Sequence, residues 1–152
     1  MKHLLFVLFF ISEFGLACSQ TYLEGWSAED KFLLAVEKAD FVFVGKVIRL
    51  YRQPGQADLV KGYTGFVFEV QEKIKGNQSP FVDAILTPDC GINGLPWFED
   101  DQYWPNEIGQ RFVVAGNKQK IGTSVFAVWP YKEGEPLMYR VRISANKRIT
   151  KG

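Results

Sequence analysis

The residues of this chain best placed for chemistry are its two cysteines, Cys18 and Cys90, and what they can do depends on where the mature protein starts. Met1-Lys2-His3 is a short basic start, Leu4 to Ile11 is an apolar run, and Gly15 and Ala17 put small residues just before Cys18. That pattern is expected to be a secretory signal peptide over residues 1–17, cut after Ala17. The run is too short to span a bilayer, which needs about 20 apolar residues. Cys18 then becomes the first residue. Its α-amino group and carbonyl oxygen lie on one residue and can close a five-membered chelate ring around a metal ion. An α-amino group titrates near pH 8, so a useful fraction is neutral and holds a free lone pair. Two cysteines in an exported protein read as a disulfide, with one internal connectivity available. A Cys18–Cys90 bond closes a loop of roughly 70 residues, worth on the order of 4 kcal/mol. It would also hold the chelator rigid, which lowers the entropic cost of binding. Ser19 is the first side chain beyond the chelator. The plainer alternative is a disulfide that only braces the fold.

Other chemistry is poorly supplied. The single histidine, His3, falls in the segment that export removes. The mature chain therefore has no Ser-His-Asp or Cys-His arrangement and no imidazole ligand for a metal. No glycine-rich phosphate loop occurs, and no spacing nominates a carboxylate pair, so no enzyme activity and no cofactor are expected. A formal net charge of +1 argues against a protein that tracks nucleic-acid phosphates. No other apolar segment is long enough for a transmembrane span, and a monomer is expected. The densest unusual stretch, Pro96 to Pro105, contains Trp97, Phe98, Tyr103 and Trp104 beside Glu99, Asp100 and Asp101. Such a loop can form a partner-binding ridge or a weak calcium site. The reading preferred here is that its aromatics plug one end of the fold while the acids stay solvated, because a loop this long must bury something to stay ordered.

The elements that must position these residues follow from periodicity. Ser27 before Ala28-Glu29-Asp30 is a helix start with an N-cap and early acids, and Phe32, Leu33, Val36 and Ala39 recur at helical spacing. A short amphipathic helix is expected to end at Lys38. From Phe41 to Tyr51 the chain is β-branched and aromatic, with Gly45 marking a bulge or sharp bend. Gln53 to Gly62 reads as a loop. Between Tyr63 and Lys75, Phe66, Phe68, Val70 and Ile74 alternate with Glu69, Gln71, Lys73 and Lys75, the pattern of a half-buried strand. Further strands are expected at Phe81–Thr87, Arg111–Gly116 and Thr123–Trp129, with a long loop at Ile92–Gly109. A sixth is expected where Leu137, Tyr139, Val141 and Ile143 alternate with Met138, Arg140 and Arg142. Residues 18–146 thus form one mostly β domain, a small Greek-key barrel of five to six strands with one or two short flanking helices, and residues 147–152 a flexible tail. Lys147, Arg148 and Lys151 read as a solvated end.

The order of several segments resembles the tissue inhibitors of metalloproteinases and the wider netrin-like domain. A signal peptide ends directly at Cys18, and a strand begins Ala39-Asp40-Phe41-Val42-Phe43-Val44-Gly45-Lys46-Val47. Phe68-Glu69-Val70, Lys75-Gly76, Cys90-Gly91, Gly109 to Gly116 and Phe126 to Pro130 follow. The likeness runs from about Cys18 to Pro130. It implies an OB-type five-stranded barrel and a mechanism in which the amine and carbonyl of the N-terminal cysteine bind the catalytic zinc of a metalloendopeptidase. Carried over by position, Cys18 is the chelator and Ser19 the residue for the specificity pocket. Thr87, Pro88 and Asp89 form the neighbouring ridge, held by the Cys18–Cys90 bond. Gln20 stands where those proteins carry a second cysteine, their further disulfides have no counterpart, and their C-terminal domain is expected to be missing. The resemblance implies an inhibitor, and the signal peptide over residues 1–17 is expected to make it secreted, extracellular or periplasmic.

Two other readings compete. One is a non-inhibitory module that binds a protein or glycan on the barrel surface. The other makes Gly15-Leu16-Ala17-Cys18 a lipobox, with glycine where leucine is usual, so that acylation blocks the Cys18 amine and leaves Cys90 without a partner. The exported protein is expected to begin at Cys18 with a free amine and an intact disulfide. Intact mass and N-terminal sequencing check this, and an acylated Cys18 would establish the lipid-anchored form.

Overall fold

The computed structural model describes residues 25–52, 63, 65–86, 105–118 and 123–147. Its elements are α1 (Ala28–Lys38), β1 (Phe41–Tyr51), β2 (Gly65–Lys75), β3 (Phe81–Leu86), β4 (Arg111–Lys118), β5 (Thr123–Pro130) and α2 (Pro136–Asn146). The strands close into a barrel in the order β1-β2-β3-β5-β4, with β4 returning to β1. Every pairing is antiparallel except β3 with β5, where Ala84–Leu86 run parallel to Thr123–Val125. This is the OB-type Greek-key barrel expected from the sequence.

α1 forms where its start signals lie. The Ser27 hydroxyl accepts from the Asp30 backbone N–H at 3.1 Å, and Glu29 and Asp30 occupy the first turn, where the helix dipole favours negative charge. At the other end Lys75 Nζ donates to the Glu37 carbonyl at 2.9 Å, satisfying one of the orphan acceptors of the last turn. Phe32, Leu33, Ala35 and Val36 are buried.

β1 separates two cores. Phe41, Phe43 and Val47 point into the barrel with Phe66, Phe68, Val82, Phe112, Val114 and Val128. Val42 and Val44 point outward, where α1 and α2 cover them together with Val113, Ala115 and Ala127. The register between β1 and β2 shifts three times: between Val42 and Phe43, between Val44 and Gly45, the irregularity expected there, and between Val47 and Arg49. The first two place the extra residue on β2; the third inserts Ile48 in β1, so the inward position passes from odd-numbered Val47 to even-numbered Leu50, which packs on the inner core. Phe43 and Phe68 meet edge to face, centroids 6.0 Å apart.

The expected sixth strand is a helix. Pro136 opens α2 near its first position, and Leu137, Met138, Val141, Ser144 and Ala145 form its buried face. Positions four apart share a face in both a helix and a strand, so Leu137 and Val141 fit either pattern. The positions that separate the two point outward: Tyr139 is 71% and Ile143 47% exposed, while Met138 is buried. The expected end of β4 also moves, since the strand continues through Asn117 to Lys118. Asp40 secures that extension: its backbone N–H donates to Asn117 Oδ1 at 3.1 Å, and its Oδ2 accepts from the Lys118 N–H at 3.2 Å.

Gly45 is a tight position inside the barrel, because a Cβ there would lie 2.7 Å from the Phe43 ring and 3.1 Å from Phe68 Cβ. Gly45→Val is expected to lower stability by about 1–3 kcal/mol through overpacking. The midpoint of urea unfolding measures it.

Candidate functional site

Strand polarity gathers one set of chain ends together. β1 leaves the barrel at Tyr51, β2 begins at Gly65, β3 leaves at Leu86, β4 begins at Arg111 and β5 leaves at Pro130, all at the same end. α2 starts six residues after Pro130, so its N-terminus is close to this end. α1 starts beside it: Arg140 pairs with Glu29 and, at 2.9 Å, with Asp30, while Lys147 pairs with Glu37 at 3.1 Å near the other end of both helices. The helices therefore run parallel, and Gly25 lies toward the barrel end where β3 stops. Asp30 is held below its ordinary carboxylate range, first by the Ser27 hydroxyl and next by Arg140.

The residues expected to form the inhibitory site, Cys18, Ser19, Thr87, Pro88 and Asp89, lie outside the described residues, as do Cys90, the signal peptide, the loop at 53–62, the Trp97–Trp104 segment and residues 148–152. Lys147, the first residue of the expected tail, caps α2 and pairs with Glu37. Thr87 directly follows Leu86, the last residue of β3.

Across that end of the barrel lies a cluster the sequence did not nominate. The Tyr51 hydroxyl donates to Asp83 Oδ1 at 2.5 Å, joining β1 to β3 over the intervening β2. The tyrosine ring passes directly over Gly65, where any Cβ would overlap it. Arg49 sits with its guanidinium carbon 5.6 Å from the ring centroid. Burial first, then the hydrogen bond to Asp83 and the carboxylate charge, push the Tyr51 phenol up from 10.0 to about 12. Tyr51 and Asp83 are 32 residues apart, so no local pattern pairs them. The one available signal is Asp83 itself, an acid within the apolar strand Phe81–Leu86.

Arg111 lies at the same end, its guanidinium carbon 4.3 Å from the Tyr131 ring centroid. Between α1 and α2 runs an open groove of about 530 Å³ with apolar walls from Trp26, Leu34 and Ile143. Among the described residues no group of three or more His, Cys, Asp or Glu side chains could hold a metal, and no helix is long and apolar enough to cross a membrane. No protein-family model matches the chain, and no curated protein matches it.

A hydrogen bond of this kind contributes about 0.5–1.5 kcal/mol. Tyr51→Phe is expected to lose roughly that at neutral pH. The neutral phenol is the donating form and its folded pKa is raised. Its contribution is therefore fully present below about pH 10 and is lost as pH rises through about 12. The difference in urea midpoint between wild type and Tyr51→Phe should shrink over that window; a constant difference would show that Tyr51 contributes by packing alone.

Proposed function

We propose that this chain is an exported inhibitor of a zinc metalloendopeptidase, docking on the enzyme with the barrel end described above. The Cys18 amine and carbonyl oxygen take up the enzyme's catalytic zinc. Ser19 enters the specificity pocket, and Thr87, Pro88 and Asp89 lie alongside, held by the Cys18–Cys90 bond. The observation that carries this reading is geometric. The chain reaches α1 and leaves β3 at one end of a five-stranded OB-type barrel, the fold that the resemblance to the metalloproteinase inhibitors implies. Cys18 is seven residues from Gly25, a span that reaches up to about 23–25 Å when extended, comparable to a small barrel's width.

The chemistry is that of a bidentate backbone ligand. A neutral α-amine and a carbonyl oxygen bind a borderline metal such as zinc without any imidazole or thiolate from the inhibitor. An amine carrying a proton cannot bind, so inhibition should weaken as pH falls below the α-amino pKa.

The second reading, a non-inhibitory extracellular or lipid-anchored module for a protein or glycan, needs no free amine. The mature protein is therefore to be titrated against a panel of zinc endopeptidases, alone and with one alanine added before Cys18. Wild type is expected to inhibit at least one member, and the added residue, which moves the amine away from the Cys18 carbonyl, is expected to remove inhibition. Equal inhibition by both forms would sink zinc capture, and inhibition of none would favour the binding module.

A further inference from the structure

α1 and α2 do not close completely on each other. The groove between them holds about 530 Å³, inside the range of roughly 300–1,000 Å³ that small-molecule sites occupy. Two ion-paired rungs cross from helix to helix. Arg140 reaches Glu29 and Asp30 at one level, and Lys147 reaches Glu37 at the other. Arg140 and Lys147 are seven residues apart on α2, so the rungs stand about 10 Å from each other. The lining between them is apolar: Leu33 and Leu34 come from α1, Ile143 from α2, and Trp26 from the chain that enters α1. Trp26 and Ile143 are each 47% exposed.

One polar group interrupts that lining. Ser144 borders the groove and is 7% exposed, yet its hydroxyl has no hydrogen-bond partner among the described residues. A buried hydroxyl without a partner is unfavourable, and native structures seldom leave one unsatisfied. Lys147, one turn further along α2, borders the groove as well and gives one of its three donors to Glu37. Both groups can donate to an acceptor that enters the groove. The charges of the rim, by contrast, are already matched. Asp30 accepts from the Ser27 hydroxyl at 2.6 Å and from Arg140 at 2.9 Å. The cations Arg140 and Lys147 face three carboxylates, Glu29, Asp30 and Glu37, which leaves no positive charge for an anion.

We propose that this groove binds a small neutral amphiphile, an aliphatic chain that carries one hydroxyl or carbonyl oxygen. The chain lies along Leu33, Leu34 and Ile143 beside Trp26, and its oxygen accepts from the Ser144 hydroxyl. The two rungs bound the length of the site, which suits a small molecule and not a polymer passing through. The site is on the helical side of the barrel and does not depend on zinc capture at Cys18.

1-Octanol is the probe, since its extended chain matches the spacing of the rungs, and octanoate is the charged comparison. The exported protein is titrated calorimetrically with each at neutral pH. 1-Octanol is expected to bind with a Kd on the order of 100 μM and to raise the melting temperature. Octanoate should bind at least about tenfold more weakly, because the rim carries more carboxylates than cations. Ser144→Ala is expected to weaken 1-octanol binding roughly threefold to tenfold, the loss of one hydrogen bond. Ile143→Asp, at a half-exposed position, should abolish binding with little change in melting temperature. Octanoate binding as tightly as 1-octanol would overturn the choice of a neutral ligand. Wild-type affinity in both variants would place the alcohol elsewhere and overturn the site. If 1-octanol neither binds nor shifts the melting temperature, the proposal fails, and the groove is covered by the residues ahead of Gly25 or by a second copy of the chain.

Discussion

β1 is hydrogen-bonded to β2 along one edge and to β4 along the other, and its two faces enter different cores. A strand in that position has no solvent face over its first half, which is why Phe41 to Val44 are all apolar. The barrel can close only if this strand bends, and its register with β2 shifts at Gly45 and again where Ile48 is inserted. The second irregularity has a wider effect. By shifting the inward position from Val47 to Leu50 it turns Arg49 and Tyr51 to the outside, where Tyr51 reaches across Gly65 to Asp83. The features at this end of the barrel therefore trace back to how one overcommitted strand is curved.

The helices depend on the same strand from the other side. α1 and α2 bury Val42 and Val44 along with the outward faces of β4 and β5, and the apolar layer they form supplies most of their attachment. The ion pairs of Arg140 with Glu29 and Asp30, of Arg142 with Glu72 and of Lys147 with Glu37 are about half exposed, so each contributes at most about 1 kcal/mol. Their value lies in alignment. They fix α2 parallel to α1, which brings the start of α1 to the end of the barrel where β3 stops.

Much of the fold was legible from local patterns. Ser27 with Asp30 marks a helix start by capping chemistry, which acts over three residues. The first half of β2 follows from alternation, Phe66 and Phe68 in, Glu69 out, but the register shifts at Gln71 and Ile74 break the period, and Ile74, expected on the face of Phe66, packs on the helix-side core instead. The segment after Pro136 fits a strand as well as a helix in sequence because two of its apolar residues, Leu137 and Val141, are four apart, a spacing at which the helical and strand periods coincide. Met138, counted with the polar positions in a strand, is buried in the helix. Of the candidate site, Cys18, Ser19 and Thr87 to Asp89 were named from sequence order and resemblance. Tyr51, Gly65 and Asp83 were not, since each acquires its partner from a distant strand.

The amino-acid sequence by itself determined the class of the protein: a mostly β domain with two cysteines, a single histidine, and a helix ahead of a long strand that contains a glycine. Those are properties of composition, capping and period, which act over a few residues. Only the tertiary structure decided that α2 is a helix, that β3 and β5 meet in parallel, and that Tyr51 finds Asp83. It also decided that the exits of β1, β3 and β5 share one end with the starts of β2, β4 and both helices. These depend on barrel closure, and closure is a property of strand curvature and register summed around the whole sheet, which no short window of sequence contains.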